Sequence, residues 1–448
     1  MFCTPLLSKA EEPRPNILLL ITDDQRYDEV DPYMPKTKER IFDQGIQFDR
    51  AYVTTPACAP SRASIFTGLY ASQHAVSTND YILEKQTFAE KIAKEGTYFL
   101  GHVGKYLNGW DGSARPEFDF WVSFAHGSTK YFSPRLNVNG TWGIEQGYTT
   151  NIFRDHAILF LEQADTQDKP FLLTVAFNAP HRKWASPPED SGIYDENAQA
   201  RNPNFHEADT SDKPRWIQDL AKKKKGGSEG NGIFRKRARE TLASVDRAID
   251  AILDTLENQG KLENTIIFFL SDNGILSGEH WVLGKDALYE EAVRVPFALR
   301  YGSKVTPRTS SALVANIDIA PTIFELTGVT PKNTPAGSSL TPLFDSDEAS
   351  RNELLLEGFR TGAGRVPFSS VHTGDVVYTK TKRLGTEVDT NRRELYDLGI
   401  DPFQLENRTH DDAYSSTQND LRARLDNLLL AIRGTRRFRR PEGEKYVP

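Results

Sequence analysis

The chain has 448 residues, of which 38% are hydrophobic and 26% charged, and its formal net charge is −7. This length predicts one large domain and a smaller one, and the negative charge argues against nucleic acid or an anionic membrane as a partner. Only two cysteines, Cys3 and Cys58, are present, which excludes a disulfide framework, and no apolar run approaches the ~20 residues that cross a bilayer.

The first predicted element is a buried strand at residues 17–21. The segment before it, residues 1–15, is too short and too weakly apolar for a whole secretory signal, so it is either the stub of a trimmed signal or a cytosolic start. Asp23 and Asp24 follow the strand. Because Asp often caps the next helix, capping and metal binding are both open for this pair.

The second element is a helix whose first turn holds Cys58, within the stretch "TTPACAPSRASIFTGLY". On this helix Arg62 shares a face with Cys58, and a helix N-terminus together with an arginine favours a tetrahedral oxyanion. A lone cysteine is usually a small buried hydrophobe, and a soft thiol is a poor partner for a hard cation. Spacing alone therefore leaves the role of Cys58 open.

The middle of the chain alternates between helix and strand. Residues 149–165 predict a helix, and residues 171–177 predict a second buried strand, which His181 follows. Residues 185–232 are polar and predict a long loop or insertion near the active rim. The run Lys222–Lys225 within it is interpreted as a solvated face, with binding of an anionic polymer as the minor alternative. Apolar spacing then predicts a helix within residues 239–260, ended by Gly260.

The third buried strand is predicted at residues 266–270, and Asp272 and Asn273 follow it. Strand–helix alternation indicates an α/β fold. Open α/β sheets bind ligands outside the carboxyl ends of their strands, so the polar residues after the three strands are expected to meet at one rim.

The pattern changes after about residue 350, where residues 375–385 and 394–402 predict short strands and turns. We expect a catalytic domain at residues 14–350 and a small C-terminal α+β domain with an antiparallel sheet at residues 351–448.

The polar clusters indicate a metal site with hard ligands. Asp23, Asp24, Asp272 and Asn273 offer three carboxylates and an amide, which suit Ca²⁺ or Mg²⁺ better than zinc. Together with a cationic pocket at Arg62, this site predicts phosphoryl or sulfuryl transfer by in-line displacement.

The motif Cys58-Ala-Pro-Ser-Arg62, followed by Thr67-Gly68, resembles the signature of type I sulfatases. The resemblance covers nearly the whole chain and includes residues 15–25, 101–110, 178–181, 271–274 and 283–297. It implies an alkaline-phosphatase-like fold, with a mixed, mostly parallel sheet flanked by helices and the smaller C-terminal domain.

The resemblance also implies the cofactors and the roles of the site residues. In that family the cysteine is converted by a maturation enzyme to Cα-formylglycine, whose hydrate attacks sulfur and later expels sulfate. Arg62 and Lys105 would steady the hydrate. His181 and Lys285 would contact the sulfate ester, with His181 protonating the leaving oxygen, and His280 would touch substrate. The implied Ca²⁺ ligands are Asp23, Asp24, Asp272, Asn273 and the formylglycine made from Cys58.

The stretch "GKYLNG" places Leu107 where many sulfatases have a histidine, and it resembles the N-acetylglucosamine-6-sulfatase branch. The expected substrate is therefore 6-O-sulfated N-acetylglucosamine in a glycan, and the resemblance favours an exported protein. Two alternatives stay open: a phosphonate or phosphate ester hydrolase on the same scaffold, and a non-catalytic binder of sulfated glycans if Cys58 is unconverted.

Overall fold

The computed structural model describes residues 14–194, 202–224, 231–348, 351–359, 366–381 and 393–434. Cys3 lies outside these ranges. Among the described helices, none has both the length and the apolar character required to cross a membrane.

A large mixed sheet forms the centre of the fold. The described strands are β1 (Asn16–Thr22), β2 (Ile46–Phe48), β3 (Ala51–Tyr52), β4 (Phe99–Gly104), β5 (Phe120–Ser123), β6 (Arg135–Val138), β7 (Thr141–Ile144), β8 (Phe171–Ala176), β9 (Thr265–Ser271), β10 (Leu276–Ser277), β11 (Leu283–Gly284), β12 (Phe297–Arg300), β13 (Arg308–Ser310), β14 (Val314–Ala315), β15 (Leu354–Gly358), β16 (Phe368–His372), β17 (Val376–Thr381) and β18 (Arg393–Asp397). Ten of them form one sheet in the order β13-β2-β12-β9-β1-β8-β4-β5-β6-β7.

The four neighbouring strands β9, β1, β8 and β4 run parallel to one another. The register places Thr22 of β1 beside Ser271 of β9, and Gly104 of β4 beside Ala176 of β8. Every residue of β1, β8 and β9 is buried, as expected for parallel strands covered on both faces, so the three predicted strands are confirmed. Their carboxyl ends lie at one edge of the sheet.

Strand β4 was not predicted, because glycines interrupt its apolar pattern. Gly104 ends this strand with φ of 107°, and a Cβ at this position would lie 2.0 Å from the carbonyl oxygen of Ala176. The close approach of β4 and β8 therefore requires glycine.

Helices cover both faces of the sheet. Their bounds are α1 (Val30–Tyr33), α2 (Pro35–Thr37), α3 (Cys58–Thr67), α4 (Ala71–His74), α5 (Phe88–Glu95), α6 (Thr149–Asp165), α7 (Arg215–Lys224), α8 (Asn231–Asn258), α9 (Glu290–Val293), α10 (Ile319–Thr327) and α11 (Ser415–Gly434). Helices α3, α5 and α10 share one core with the sheet, and α6 and α8 share another on the opposite face. This layering is the α/β architecture expected from the sequence.

Helix α6 confirms the helix predicted at residues 149–165, and α8 confirms the one predicted within residues 239–260 but begins at Asn231. Of the two interpretations of residues 185–232, a long loop or an insertion, the loop interpretation was wrong, because α7 forms inside the segment. Ile217 of this helix is buried against Tyr289 and Tyr396, and this apolar face was hidden among charged residues. In the run Lys222–Lys225, Lys222 and Lys223 are exposed, and Lys225 lies outside the described residues.

The predicted C-terminal antiparallel sheet is present as β15-β16-β17-β18. Helix α11 packs on it through Leu421 and Leu425, and the same core contains Leu288 and Val293 of the larger region. We propose that residues 14–350 and 351–448 form the two domains, which places the two sheets in different domains.

Candidate active site

The candidate site lies at the carboxyl edge of the four parallel strands. Asp23 and Asp24 follow β1, Asp272 follows β9, and Lys105 follows β4 directly. The peptide N–H of Asp24 donates to Oδ1 of Asp272 over 3.2 Å, which joins the ends of β1 and β9. Polar groups that are 82 to 248 residues apart in the chain are thereby brought together, as the strand order predicts.

Cys58 is the first residue of α3 and is 1% exposed. Its Sγ donates to Oδ1 of Asp23 over 3.3 Å. Burial, together with the carboxylates of Asp23 and Asp272, raises the pKa of the thiol well above its ordinary range. The thiol is therefore protonated at neutral pH and is a poor nucleophile as it stands.

The N-terminus of α3 has no side-chain cap of its own, because the residue before it is Ala57. A side chain from a distant loop supplies an acceptor instead: Oδ1 of Asn79 accepts from the peptide N–H of Ala59 over 3.0 Å. Asn79 could not be identified from the sequence, since no local pattern links residue 79 to this helix.

Arg62 and Lys105 are buried behind the thiol. Arg62 donates through Nε to Oδ2 of Asp272 over 2.7 Å, and through Nη1 to the carbonyl oxygen of Lys105 over 2.8 Å. Lys105 donates from Nζ to Oδ2 of Asp23 over 2.7 Å. Within the described residues, Nη2 of Arg62 has no hydrogen-bond partner, which leaves one cationic donor available at this buried position.

Lys285 approaches from the other side, just after β11. Its Nζ donates to Oδ1 of Asp24, and it lies 3.3 Å from Oδ1 of Asn273 and 2.6 Å from Sγ of Cys58. Nδ2 of Asn273 donates to the same Asp24 oxygen over 2.6 Å. A positive charge thus already fits among these oxygen atoms.

The three cations offset the three buried carboxylates. Burial alone would raise the pKa of Asp272, but Arg62, Lys105 and Lys285 hold it well below its ordinary value. Lys285 likewise lowers the pKa of Asp24 against the opposing effect of burial. The pKa of Asp23 is raised, by burial first and then by Asp272. Asp24 and Asp272 are therefore ionised and can bind a cation.

The donor set fits a hard divalent cation. Oxygen atoms of Asp23, Asp24 and Asp272 and the Sγ of Cys58 all lie within 4.8 Å of one another. Carboxylate and amide oxygens suit Ca²⁺ or Mg²⁺, whereas a thiol does not. An oxygen-bearing group at residue 58 would complete the set.

His181 follows β8 and lies at the open side of the cluster. Its side chain is 18% exposed, and Nε2 is 3.8 Å from Oδ2 of Asp24. Tyr131 donates its hydroxyl to the carbonyl oxygen of His181 over 2.8 Å and holds this turn. Burial lowers the pKa of His181, and Nδ1 has no hydrogen-bond partner within the described part of the chain.

His280 lies apart from these residues. Its side chain is fully buried, with Nδ1 3.1 Å from Oε2 of Glu207 and its ring stacked on Tyr289 at a centroid distance of 3.9 Å. Asn204 also contacts it, at 3.3 Å from Nε2. Within the described residues, the polar and ring contacts of the His280 side chain are therefore with Asn204, Glu207 and Tyr289, and not with the carboxylate cluster. Its role in substrate binding stays a prediction.

The chain matches the Sulfatase family over residues 15–329 and the C-terminal region of N-sulphoglucosamine sulphohydrolase over residues 278–430. The N-acetylglucosamine-6-sulfatase of Homo sapiens is 33% identical over 380 residues, which cover 77% of this chain and 67% of that protein. The N-acetylglucosamine-6-O-sulfatase of Bacteroides thetaiotaomicron is 28% identical over 484 residues, covering 92% and 86%. An extracellular sulfatase homologue of Drosophila melanogaster is 32% identical over 373 residues, and the chain spans only 33% of its length.

Solved structures share the fold along nearly the whole chain. One, a protein in complex with its substrate D-glucosamine-2-N,6-O-disulfate, aligns with a TM-score of 0.80 at 26% identity and covers 94% of this chain and 98% of that one. The phosphonate monoester hydrolase of Agrobacterium radiobacter aligns with a TM-score of 0.74 at 20% identity, covering 94% and 96%. The expected alkaline-phosphatase-like fold is therefore confirmed.

Proposed function

The chain belongs to the sulfatase family of sulfuric ester hydrolases, and we propose that it removes the 6-O-sulfate of N-acetylglucosamine in a sulfated glycan. Two relatives are named for this activity, and the substrate bound in the structural neighbour carries a 6-O-sulfate on glucosamine. Because the chain spans only a third of the Drosophila relative, the substrate is a proposal for this chain and not a property transferred with the family.

The observation that carries the proposal is the position of Cys58. It opens α3 inside a cluster of hard oxygen ligands, and its thiol is both protonated and soft. We propose that a formylglycine-generating enzyme converts Cys58 to Cα-formylglycine. This change would give position 58 the oxygen atoms that a hard cation prefers as ligands. When both groups are present, formylglycine would supply a hydrated aldehyde as nucleophile, and Ca²⁺ would supply positive charge that stabilises the sulfate group.

The proposed Ca²⁺ ligands are the residues that already surround a positive charge. Asp24 and Asn273 contact the ammonium of Lys285, and Asp23 and Asp272 complete the carboxylate set. Each lies within two residues of the end of a parallel strand, so the rigid sheet fixes the ligand positions.

Arg62 and Lys105 are placed to hold the group at residue 58. Both are fully buried, Arg62 on α3 and Lys105 directly after β4, and each is bonded to a carboxylate of the cluster. They therefore orient the nucleophile and exclude water behind it. We propose that the free Nη2 of Arg62 donates to an oxygen of the modified residue.

His181 and Lys285 are placed on the side from which a sugar must enter. Of the proposed catalytic side chains, His181 is the most exposed, at 18%, and Lys285 follows at 10%. We propose that Lys285 binds the sulfate group and that Nε2 of His181 delivers a proton to the leaving oxygen of the sugar.

The experiment compares sulfate release from N-acetylglucosamine-6-sulfate with the hydrolysis of an aryl sulfate and an aryl phosphonate. The proteins are the wild type, Cys58→Ser and Cys3→Ala, the last changing the other cysteine of the chain. We expect the wild type and Cys3→Ala to release sulfate from the sugar, and Cys58→Ser to be inactive. Cleavage of only the aryl sulfate would refute the sugar assignment. Faster cleavage of the phosphonate would favour the alternative function, a phosphonate or phosphate ester hydrolase.

A further inference from the structure

A cavity of about 470 Å³ opens beside Asp24, and this volume lies within the ~300–1,000 Å³ typical of small-molecule sites. Its walls are the segment 180–184 after β8, the ribbon of β10 and β11, and residues 235–238 of α8. The lining residues Arg182 and Gly284 are the sequence neighbours of His181 and Lys285. The cavity is therefore continuous with the candidate active site.

Besides Arg26, four cationic side chains that the proposed chemistry does not use line this cavity: Arg182, Lys183, Arg235 and Arg237. Arg182, Lys183 and Arg237 are exposed. None of these three forms an ion pair or hydrogen bond with another residue in the described part of the chain. Their charge is thus available to a ligand.

Arg235 differs because it is nearly buried. Its side chain is 11% exposed, Nη1 lies 3.9 Å from Oε1 of Glu279, and Nε has no hydrogen-bond partner among the described residues. Glu279 is already engaged by Nη1 of Arg26 over 3.0 Å and by the peptide N–H of Ser277 over 2.6 Å. Burial and the charge of Arg26 lower the pKa of Arg235. Arg235 therefore has one long ion pair and an unpartnered Nε, and an anionic ligand would supply the close partner that this nearly buried cation lacks.

Arg26, which lines the same cavity, differs from Arg235 in its hydrogen bonding. It is fully buried, and it donates to both carboxylate oxygens of Asp28 over 2.9 and 3.0 Å, to Glu279, and to the carbonyl oxygen of Ile275. The N–H groups of Arg26 are bonded to protein acceptors, so the role of Arg26 is structural. Arg235, in contrast, has an N–H group that no protein acceptor among the described residues binds.

The cavity also offers a surface for a sugar ring. Trp184 is half-buried, and its Nε1 donates to the carbonyl oxygen of Pro180, which fixes the indole in the wall. Leu283 on the ribbon is 42% exposed. An aromatic face and an aliphatic side chain suit the C–H face of a sugar, and the cations suit charged substituents on it.

We infer that this cavity binds a second anionic group of the substrate, a sulfate or carboxylate other than the ester that is cleaved, and that Arg235 is the principal specificity-determining contact. The substrate class is then a glycan with at least two negative charges near the 6-O-sulfate. This inference rests on the proposed function, because the cleaved ester must lie at Asp24 for the second anion to reach Arg235.

The test measures kcat/KM for three sugars. One is N-acetylglucosamine-6-sulfate, with a single anionic group. The second is D-glucosamine-2-N,6-O-disulfate, with its second anion on the same ring, and the third is a disaccharide of 6-sulfated N-acetylglucosamine and a uronic acid, with the anion on the next ring. We expect the wild type to favour one of the doubly charged sugars over the first by about tenfold or more, and Arg235→Gln to lower that ratio about tenfold, because a charge-assisted hydrogen bond is lost. The preferred sugar identifies the source of the anion.

Lys332→Gln is the matched control, since Lys332 is an exposed cation that does not line the cavity, and it should leave the ratio unchanged. Arg237→Ala, at an exposed position, must also lower the ratio and serves if Arg235→Gln does not fold. A wild-type ratio near one, or equal ratios in the wild type and the cavity variants, would overturn the inference.

Failure of the proposed function has a different signature, namely no sulfate release from any of the three sugars. Calorimetric binding of the same sugars then decides the inference. Tighter binding of a doubly charged sugar by the wild type than by Arg235→Gln supports it, and equal binding overturns it.

Discussion

Glu394 provides a pH dependence of stability that can be worked out from the structure. It is fully buried on β18, and its Oε2 accepts from the hydroxyls of Tyr289 and Tyr396 over 2.9 Å each. Its Oε1 has no hydrogen-bond partner within the described residues. Burial raises the pKa of Glu394 from its ordinary 4.5 to about 7, against the smaller opposing effect of the two tyrosines.

The folded protein thus holds this proton more tightly than the unfolded chain does. The stabilising contribution is complete below the unfolded pKa and is lost as the pH rises through the folded pKa. With pKa values of 4.5 and about 7, and ~1.36 kcal/mol for each pKa unit, the loss between pH 5 and pH 8 is roughly 2–3 kcal/mol. The substitution Glu394→Gln would keep an acceptor for the two tyrosine hydroxyls and would remove the titrating group.

The assay is urea unfolding of the wild type and Glu394→Gln at several pH values from 5 to 8. We expect the unfolding free energy of the wild type, relative to the variant, to fall by roughly 2–3 kcal/mol over this range. Glu348→Gln is the control, because Glu348 is exposed. Parallel pH profiles for the wild type and Glu394→Gln would refute the reasoning.

Three further predictions concern the site. Lys285→Ala and His181→Ala should each lower kcat at least about a hundredfold while Tm stays within a few degrees; Tm values that collapse with activity would make these residues structural. EDTA should abolish activity, and Ca²⁺ should restore it and raise Tm, since a ligand of the folded state stabilises that state; recovery with Mg²⁺ alone would correct the metal. Gly104→Ala should destabilise the protein by roughly 3 kcal/mol and misplace Lys105, because the new Cβ would lie 2.0 Å from a carbonyl oxygen at a positive φ. Gly143→Ala, with nothing within 4 Å of its Cβ, should change the unfolding free energy little, and equal effects in urea unfolding would contradict this account.

The sequence was most informative for elements whose burial can be recognised from their own residues. The apolar runs that became β1, β8 and β9 are buried throughout, so they could be recognised without tertiary information. The polar residues after them could then be expected at one edge, because parallel strands end on the same side of a sheet.

Long-range packing explains what could not be predicted. Strand β4 contains Gly101 and Gly104, which are required by neighbouring strands and helices and which hide the apolar pattern. The buried face of helix α7 depends on distant residues, because Ile217 lies in one apolar cluster with Tyr289 and Tyr396. The burial of His280 against Glu207 likewise depends on a distant segment.

The cavity beside Asp24 also could not be predicted from the sequence, because distant segments form it. Arg235 and Arg237 come from a basic stretch at the start of α8, and Arg182 comes from the turn after β8. In the sequence these are ordinary surface charges. Only the fold brings them to one wall and shows that the nearly buried Arg235 has an Nε with no hydrogen-bond partner among the described residues.

The central claim is that catalysis depends on formylglycine made from Cys58. Its most direct test is to measure, in preparations expressed with and without a formylglycine-generating enzyme, both the fraction of Cys58 converted, by mass spectrometry of the peptide that contains it, and the sulfate released per mole of protein. The account predicts activity proportional to the converted fraction and absent in unconverted protein. Activity that is the same at every level of conversion would contradict it.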